Sequence, residues 1–440
     1  MTDLLTAAHD AAKLARRHGA DEAAISVSRS RGVDIEWRDG RVERVQERTR
    51  RSLSVEVYVD GRYSASSTND LRPEAIDAFI AEAVQNTRLL EPDPHRGLPD
   101  PSRYAGRADI DLDLADPKWH DVSGEDRRAL AAELEALARD GDDDLPIVSV
   151  ASSVGDSHGR SARVHTNGFE GVREATTTGY SVMITVKDQD DRRPMGWSYS
   201  YCRHREDLDA PEAIARVARQ KARDQLGAGR IKTGRYRVVV ENRALPRLLG
   251  AFLGPLSGPA LQQRRSLWEG KLGEQIASPL LTLHDDPHRP RGLAATLWDG
   301  DGFATHRRPL IEAGVLRTYL IDQYYARKMG VEPTGGSTHD LDWALGDKGL
   351  DALIASVGDG VFIDRFLGGN SNSTSGEYSF GCAGRMIRDG KLAEPVAEMN
   401  LAGNLADLMK QLEALGDDPD KNRSSRCPSA VFDGLQLGGE

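Results

Sequence analysis

Apolar residues recur with two different periods along the first part of the chain. Leu4, Ala8, Ala11 and Ala15 follow a spacing near 3.6 residues, which predicts an N-terminal helix. Strict alternation of apolar and polar residues follows, with tight-turn dipeptides such as Asp39-Gly40 between segments. The alternating segments are 24–28, 33–37, 42–47 and 53–59. This pattern predicts an antiparallel meander with one packed face and one solvated face.

A similar order of elements occurs a second time before residue 229. Pro73 opens a second predicted helix, and Ser123 caps a third. Four further alternating segments and a closing helix then follow, at 148–153, 161–165, 172–177, 180–187 and 211–226. The order helix, strands, helix therefore appears twice, which indicates an internal structural duplication without a fixed-period sequence repeat.

Glycine becomes more frequent after the Gly227-Ala228-Gly229 segment, which is the best candidate for a domain boundary. Beyond it the patterns predict strands at 236–241, 314–321 and 358–366 and an apolar helix at 246–253. We therefore expect an α+β protein with two domains, 1–229 and 230–440, built on largely antiparallel sheets flanked by helices.

Composition and charge narrow the classes of function. The chain has 440 residues, of which 39% are hydrophobic, and 69 acidic against 58 basic residues give a net charge of −11. Basic residues are scattered among acids, so a nucleic-acid partner is not expected. The most apolar stretch, 245–256, is too short and too broken by glycine and proline to span a membrane. Three widely separated cysteines fit reduced thiols and a cytoplasmic location.

Sequence motifs for metal-dependent hydrolysis are absent in their usual form. None of the eleven histidines is followed by glutamate, which excludes H-E-x-x-H and its one-residue-longer variant. His284 and His288 form an i, i+4 pair, but Pro287 disfavours a helix between them. The pair fits a surface loop, and the alternative is a relocated metal site formed by His284, His288 and Cys427.

Motifs for nucleophilic catalysis and phosphate binding are missing as well. The chain contains no G-x-S-x-G elbow, and Cys427 has basic neighbours but no histidine base evident from the sequence. The polar, glycine-rich segment 368–376 lacks the Lys-Ser/Thr of a P-loop, which favours a hairpin or a long turn. Composition and spacing alone therefore describe a protein without a self-sufficient catalytic centre.

Several segments of the second half, taken together and in order, resemble the TldD/PmbA family. These segments are 266–276, 299–316, 325–330, 374–381 and 395–405. In the TldD branch of that family, a strand leads into a helix carrying H-E-x-x-x-H, and a cysteine near the C-terminus completes a zinc site. Here the corresponding positions are Gly250, Ala251 and Pro255, while Cys427 resembles the C-terminal cysteine. The chain is therefore similar to the TldE (PmbA) branch, the metal-free partner.

The resemblance implies a heterodimeric metalloprotease in which a TldD-like subunit carries the zinc and this subunit closes the cavity. It implies no catalytic residue, metal or cofactor in this chain, and unfolded or modified peptides as substrates. Arg307, Arg308, Tyr378 and Asn404 are candidates for lining the substrate cleft or contacting the partner. The alternative is a peptide- or protein-binding regulatory module that acts alone, without protease activity.

Overall fold

The computed structural model describes residues 3–141 and 145–439. Among these residues, the first half of the chain contains one six-stranded antiparallel sheet and four helices. Its strands have the order β3-β2-β1-β4-β5-β6. The helices are α1 (Leu4–Arg17), α2 (Pro73–Thr87), α3 (Gly124–Arg139) and α4 (Pro211–Arg223). The strands are β1 (Glu22–Arg38), β2 (Arg41–Val59), β3 (Arg62–Thr68), β4 (Ile147–His165), β5 (Glu170–Val186) and β6 (Met195–Cys202).

The strands of this sheet are longer than the alternation predicts. The segments 24–28 and 33–37 are two parts of the single strand β1, and 42–47 and 53–59 are two parts of β2. Likewise β4 and β5 each join two predicted segments. The polar stretch that separates the apolar parts of β1 is not a turn, because Arg29 and Arg31 keep their cross-strand pairing with β2 and β4.

All four helices lie on one face of the sheet, in two pairs. α1 and α2 cover one end, where Ile25, Val55 and Val164 are buried, and α3 and α4 cover the other end, where Ile35, Val154 and Val182 are buried. Odd-numbered residues of β1 face both helix pairs, so the pairs share a face. Between the two pairs that face is solvated, which explains the arginines in the middle of β1.

The second half contains two sheets and five helices among its described residues. A six-stranded sheet has the order β14-β13-β12-β7-β16-β15, in which only β7 and β12 pair in parallel, and a four-stranded sheet has the order β10-β9-β8-β11. The first contains β7 (Gly234–Val240), β12 (Gly360–Ser371), β13 (Glu377–Arg388), β14 (Lys391–Asn404), β15 (Leu412–Leu415) and β16 (Ala430–Gly438). The second contains β8 (Leu283–Asp286), β9 (Arg308–Glu312), β10 (Val315–Leu316) and β11 (Asp340–Trp343). The helices are α5 (Pro246–Leu253), α6 (Gly258–Gln262), α7 (Gln323–Met329), α8 (Leu350–Val357) and α9 (Leu405–Leu408).

Several expectations for the second half are confirmed and one is wrong. The helix at 246–253 and the strands near 236–241 and 358–366 are present, and segment 368–376 forms the end of the β12–β13 hairpin. The strand expected at 314–321 is limited to Val315–Leu316. The regular ladder ends there because Arg317 N and Thr318 N both bond to the carbonyl of Leu310 on β9, at 2.9 and 3.4 Å. Leu320 N then donates to Leu256 O at 2.9 Å, outside the sheet.

The two halves meet along the chain and through side chains. In the connection that follows α2, the carbonyl of Gly97 accepts a 2.9 Å hydrogen bond from Arg327 on α7, and Asp93 accepts one of 2.8 Å from Tyr324. The boundary between residues 229 and 230 stays a prediction; the first sheet ends before it and the other two sheets begin after it. Among the described residues, no helix combines the length and apolar character needed to cross a bilayer.

Candidate functional site

The resemblance to the family predicts that α5 stands in the place of its metal-binding helix. β7 leads into it through a short turn, and Pro246 occupies its first turn, where a missing N–H costs no hydrogen bond. Leu248, Leu249 and Phe252 bury one face of the helix in the core. Gly250 lies on the opposite, exposed face, and a Cβ placed on it would meet no other atom within 4 Å. A longer side chain at position 250 therefore has room.

The three positions predicted to correspond to the family's H-E-x-x-x-H motif carry no metal-binding group. Gly250 and Ala251 lie on α5, and Pro255 lies buried in the turn of 3₁₀ helix that follows it. A tetrahedral zinc site needs imidazole, thiolate or carboxylate ligands, and these residues supply none. Across residues 3–141 and 145–439, no group of three or more His, Cys, Asp or Glu could hold a metal ion. The donor set therefore does not fit a resident zinc ion.

The cysteine near the C-terminus is fully buried. Burial raises the pKa of the Cys427 thiol to about 12, so the side chain stays protonated near neutral pH. Metal binding requires the thiolate. In this environment Cys427 behaves as a small apolar residue of the core, which it shares with Leu412 and Phe432.

The structure does not bring His284, His288 and Cys427 together into a metal-binding group. His284 lies on β8 between buried neighbours, so strand alternation directs it away from the core face that Asp285 occupies. His288 lies beyond the strand, and its Nε2 is 3.2 Å from Thr305 Oγ1. His284 is therefore explained by its outward position on β8, and His288 by its hydroxyl partner.

Arg308, one of the candidate cleft residues, is buried at the start of β9. Its guanidinium is 3.0 Å from the carboxylate of Asp285, which is fully buried. Asp285 also accepts a 2.6 Å hydrogen bond from the backbone N–H of His339, and Arg308 donates to Ser337 O at 2.7 Å. These bonds join β8, β9 and the segment that leads into β11, so Arg308 stabilises this part of the four-stranded sheet.

Arg307 differs from its neighbour because its side chain is 49% exposed. Its guanidinium is 2.9 Å from Asp342, which also pairs with Arg289 at 3.0 Å. Of the four candidates, Arg307 is the one whose charge reaches solvent at the surface of the four-stranded sheet. Its role in a cleft or an interface stays a prediction.

Tyr378 and Asn404 lie at the same end of the β13–β14 pair. Tyr378 is buried and stacks on Phe380, with ring centroids 5.5 Å apart. Asn404 caps α9, since its side chain accepts a hydrogen bond from Ala406 N at 2.9 Å and donates one to Ser375 O at 2.8 Å. The structure brings these two residues near each other, on the six-stranded sheet, whereas Arg308 lies on the four-stranded sheet.

Two recesses on the surface were not anticipated from the sequence. One, of about 550 Å³, lies on the helix-free face of the first sheet. Its lining includes charged residues of β1 and β2 and many small residues: Ser30, Gly32, Ser153, Gly155, Ser157, Thr177, Gly179 and Ser181. The other lies between β6 and the start of α5. They meet at Trp197 and Tyr199, which line both. The sequence signal is the segment Met195 to Tyr201, where every second residue is large and apolar or aromatic.

Comparison with known proteins gives matches along almost the whole chain. Residues 23–87 match a sequence model described as PmbA/TldA metallopeptidase domain 1, residues 117–226 match the central domain, and residues 233–439 match the C-terminal domain. Metalloprotease PmbA of Escherichia coli O157:H7 is 28% identical over 96% of this chain and 93% of its own length.

Solved structures give the same result. A crystal structure described as a proposed modulator of DNA gyrase from Bacteroides thetaiotaomicron is 39% identical and superposes with a TM-score of 0.95, over 99% of this chain and 98% of that one. TldE from Thermococcus kodakarensis is 22% identical and superposes with a TM-score of 0.87, over 98% of this chain and all of that one (100%). The likeness to TldE concerns the fold.

Proposed function

This chain belongs to the PmbA/TldD family of metallopeptidases, within its TldE-like PmbA branch, and we propose that it is the non-catalytic subunit of a heterodimeric peptidase. Its partner is a TldD-like subunit that carries the zinc ion. The pair degrades or matures peptides, with unfolded or modified chains as substrates, in the cytoplasm.

One observation carries this proposal: the helix that should hold the metal has no ligand. Gly250, Ala251 and Pro255 occupy the positions of the two histidines and the glutamate base. The fold around them is intact, because Leu248, Leu249 and Phe252 still bury the core face of α5. A complete fold without metal-binding side chains fits a subunit that helps to enclose the cavity but does not catalyse the reaction.

Pairing two copies of one fold explains why a subunit without ligands is useful. A pseudo-symmetric dimer encloses a cavity only when both copies of the fold are present, while the reaction needs a metal in just one of them. An enclosed cavity admits extended peptides and excludes folded proteins by size. Main-chain hydrogen bonds can hold such peptides with little dependence on their side chains.

The test is to purify the chain alone, a TldD-like subunit from the same organism alone, and the two after co-expression. We expect no stoichiometric zinc and no cleavage of an unfolded test peptide by this chain alone. We expect an equimolar complex with one zinc per pair and peptidase activity after co-expression. Zinc bound stoichiometrically to this chain alone, or cleavage by it, would overturn the proposal.

A variant of this chain provides the control. Cys427→Ser should leave both the zinc content and the activity of the complex unchanged, because the thiol is buried and protonated. If the chain instead captures peptides but never binds a TldD-like subunit, the module acting alone is the better description and the heterodimer is excluded.

A further inference from the structure

The recess between β6 and α5 lies at the junction of the two halves and has a volume of about 490 Å³. We call it the junction cleft. Met195, Trp197 and Tyr199 of β6 line one side. The other side comes from the second half, with Arg243 and Arg247 around the start of α5 and Phe366 on β12.

The first wall of the junction cleft is a fixed aromatic platform. Trp197 and Tyr199 point to the same side of β6, and their rings stack with centroids 4.7 Å apart and planes at 24°. The guanidinium of Arg243 lies 4.7 Å from the centre of the Tyr199 ring, and Arg423 donates a 2.7 Å hydrogen bond to the Tyr199 hydroxyl. Trp197 is nevertheless 47% exposed, so a large apolar surface faces the cleft.

β6 is also the free edge of its sheet, and two side-chain bonds limit how much of that edge is open. Tyr201 N donates to Asn422 Oδ1 at 2.8 Å, and Met195 O accepts from Gln225 at 2.7 Å. Alternate residues of an antiparallel edge strand point their backbone N–H and C=O groups away from the sheet. The backbone groups of Trp197 and Tyr199 therefore point outward, as those of Met195 and Tyr201 do. The hydrogen bonds found across the described residues leave the outward groups of Trp197 and Tyr199 without a partner. An extended chain can pair with them.

The junction cleft has an excess of positive charge. Its lining contains one acidic residue, Asp364, and five basic residues: Lys221, Arg243, Arg247, Arg365 and Arg423. Asp364 is 2.7 Å from Arg365, and Glu241 just outside the lining is 2.8 Å from Lys221.

Two of these arginines keep an uncompensated charge. Salt bridges in the described part of the chain include neither Arg243 nor Arg247. Arg247 lies over the Phe380 ring at 4.6 Å and donates to Gly369 O, and Arg243 donates to Ser198 Oγ at 3.3 Å. Their partners are therefore neutral. A carboxylate is the ligand that guanidinium groups bind most strongly among the groups a peptide offers.

We propose that the junction cleft binds the C-terminal end of an extended peptide. The last residues pair with the open edge at Trp197 and Tyr199, and the terminal carboxylate binds Arg243 and Arg247. The open edge spans only two outward-facing residues between its two side-chain bonds, which suits the end of a chain better than a chain that runs through. The positive charge selects the carboxylate end over the ammonium end.

This site lies on the chain itself, so its test needs no partner subunit and can fail independently of the proposed heterodimer. The probe is a fluorescein-labelled hexapeptide of alternating valine and threonine, with either a free or an amidated C-terminus. Fluorescence anisotropy should show the free acid binding at least about ten-fold more tightly than the amide. Equal binding of the two peptides to the unmodified chain would overturn the proposal.

Two sets of variants separate the charge from the edge. Arg243→Gln should remove most of the preference for the free acid, whereas Arg44→Gln, on the exposed far end of the β1–β2 hairpin, should keep it. Trp197→Ala and Trp197→Pro both remove the indole, but only the proline also removes the outward N–H. Circular dichroism checks folding of both. Weaker binding by the proline variant supports edge pairing, and equal binding by the two refutes it.

Discussion

Replacing Arg308 by methionine tests whether this arginine serves the fold or a substrate. Methionine keeps much of the length and apolar volume of the side chain and removes its charge and donors. The change leaves the fully buried carboxylate of Asp285 without its guanidinium partner 3.0 Å away. The backbone N–H and the imidazole of His339 remain bonded to that carboxylate, at 2.6 and 3.1 Å.

The expected loss of stability follows from the burial of both partners. Removing one member of a buried ion pair costs about 3–5 kcal/mol, because the other charge stays buried. His339 keeps part of the compensation, so we expect the free energy of unfolding to fall by about 3 kcal/mol. Arg307→Met is the matched control: its pair with Asp342 is exposed, and such pairs are worth at most about 1 kcal/mol.

The assay is urea unfolding followed by circular dichroism and tryptophan fluorescence, for the unmodified chain and both variants. The reasoning fails if Arg308→Met loses less than about 1 kcal/mol, or no more than Arg307→Met. In that case Arg308 would again be a candidate for the cleft, since its burial would not reflect a structural role.

The pH dependence provides a second check. Burial pushes the pKa of Asp285 upward, but the hydrogen bond from His339 and the charge of Arg308 hold it below its ordinary value. A folded pKa below the unfolded one adds stability above the ordinary carboxyl pKa, which is lost as the pH falls through the folded value. Arg308→Met raises the folded pKa. The difference between variant and unmodified chain should therefore be largest near neutral pH and shrink below about pH 4.

Three further substitutions test other contacts, each by urea or thermal unfolding. Gly196→Ala should destabilise the chain by about 1–3 kcal/mol, because the new Cβ would collide with the backbone of α4; an unchanged midpoint would contradict this packing. Asp156→Ala should lower the free energy of unfolding by about 3–5 kcal/mol, because it leaves the buried guanidinium of Arg127 without the carboxylate to which it donates at 2.6 and 2.9 Å. A loss of about 1 kcal/mol or less, as for a surface salt bridge, would contradict the inference that this pair is buried. Asn404→Ala should cost about 1 kcal/mol through loss of the α9 cap, and a loss well above that value would point to a role outside the fold.

Local sequence patterns predict a helix or strand well when the same face of that element is buried along its whole length. α5 was predicted at its observed bounds, because Pro246 marks its start and one apolar face continues to Leu253. The alternation divides β1 into two segments because neither helix pair covers the middle of the strand. The alternation of buried and exposed residues stops there, while the hydrogen-bonded ladder continues. Alternation of apolar and polar residues indicates where a strand is buried on one face, and a strand can extend beyond that region.

Residues of the site were harder to predict, because a sequence does not state which side chains are buried. Arg307 and Arg308 are neighbours in the same motif, yet one is half exposed and the other is buried against Asp285. The junction cleft was missed for a different reason. Its two arginines and its aromatic platform lie about fifty residues apart and belong to different halves, so only the folded chain brings them together.

The first sheet repeats one arrangement of helices and strands about the antiparallel seam between β1 and β4, and this has a consequence for recognition. β3 and β6 occupy equivalent outer positions, but on the helix-free side β3 presents Tyr63, Ala65 and Ser67, whereas β6 presents a row of four large side chains. A docking molecule rotated by half a turn would meet the same backbone and a different chemistry. The side chains of β6 therefore allow a docking molecule to distinguish the two orientations of this nearly symmetric sheet.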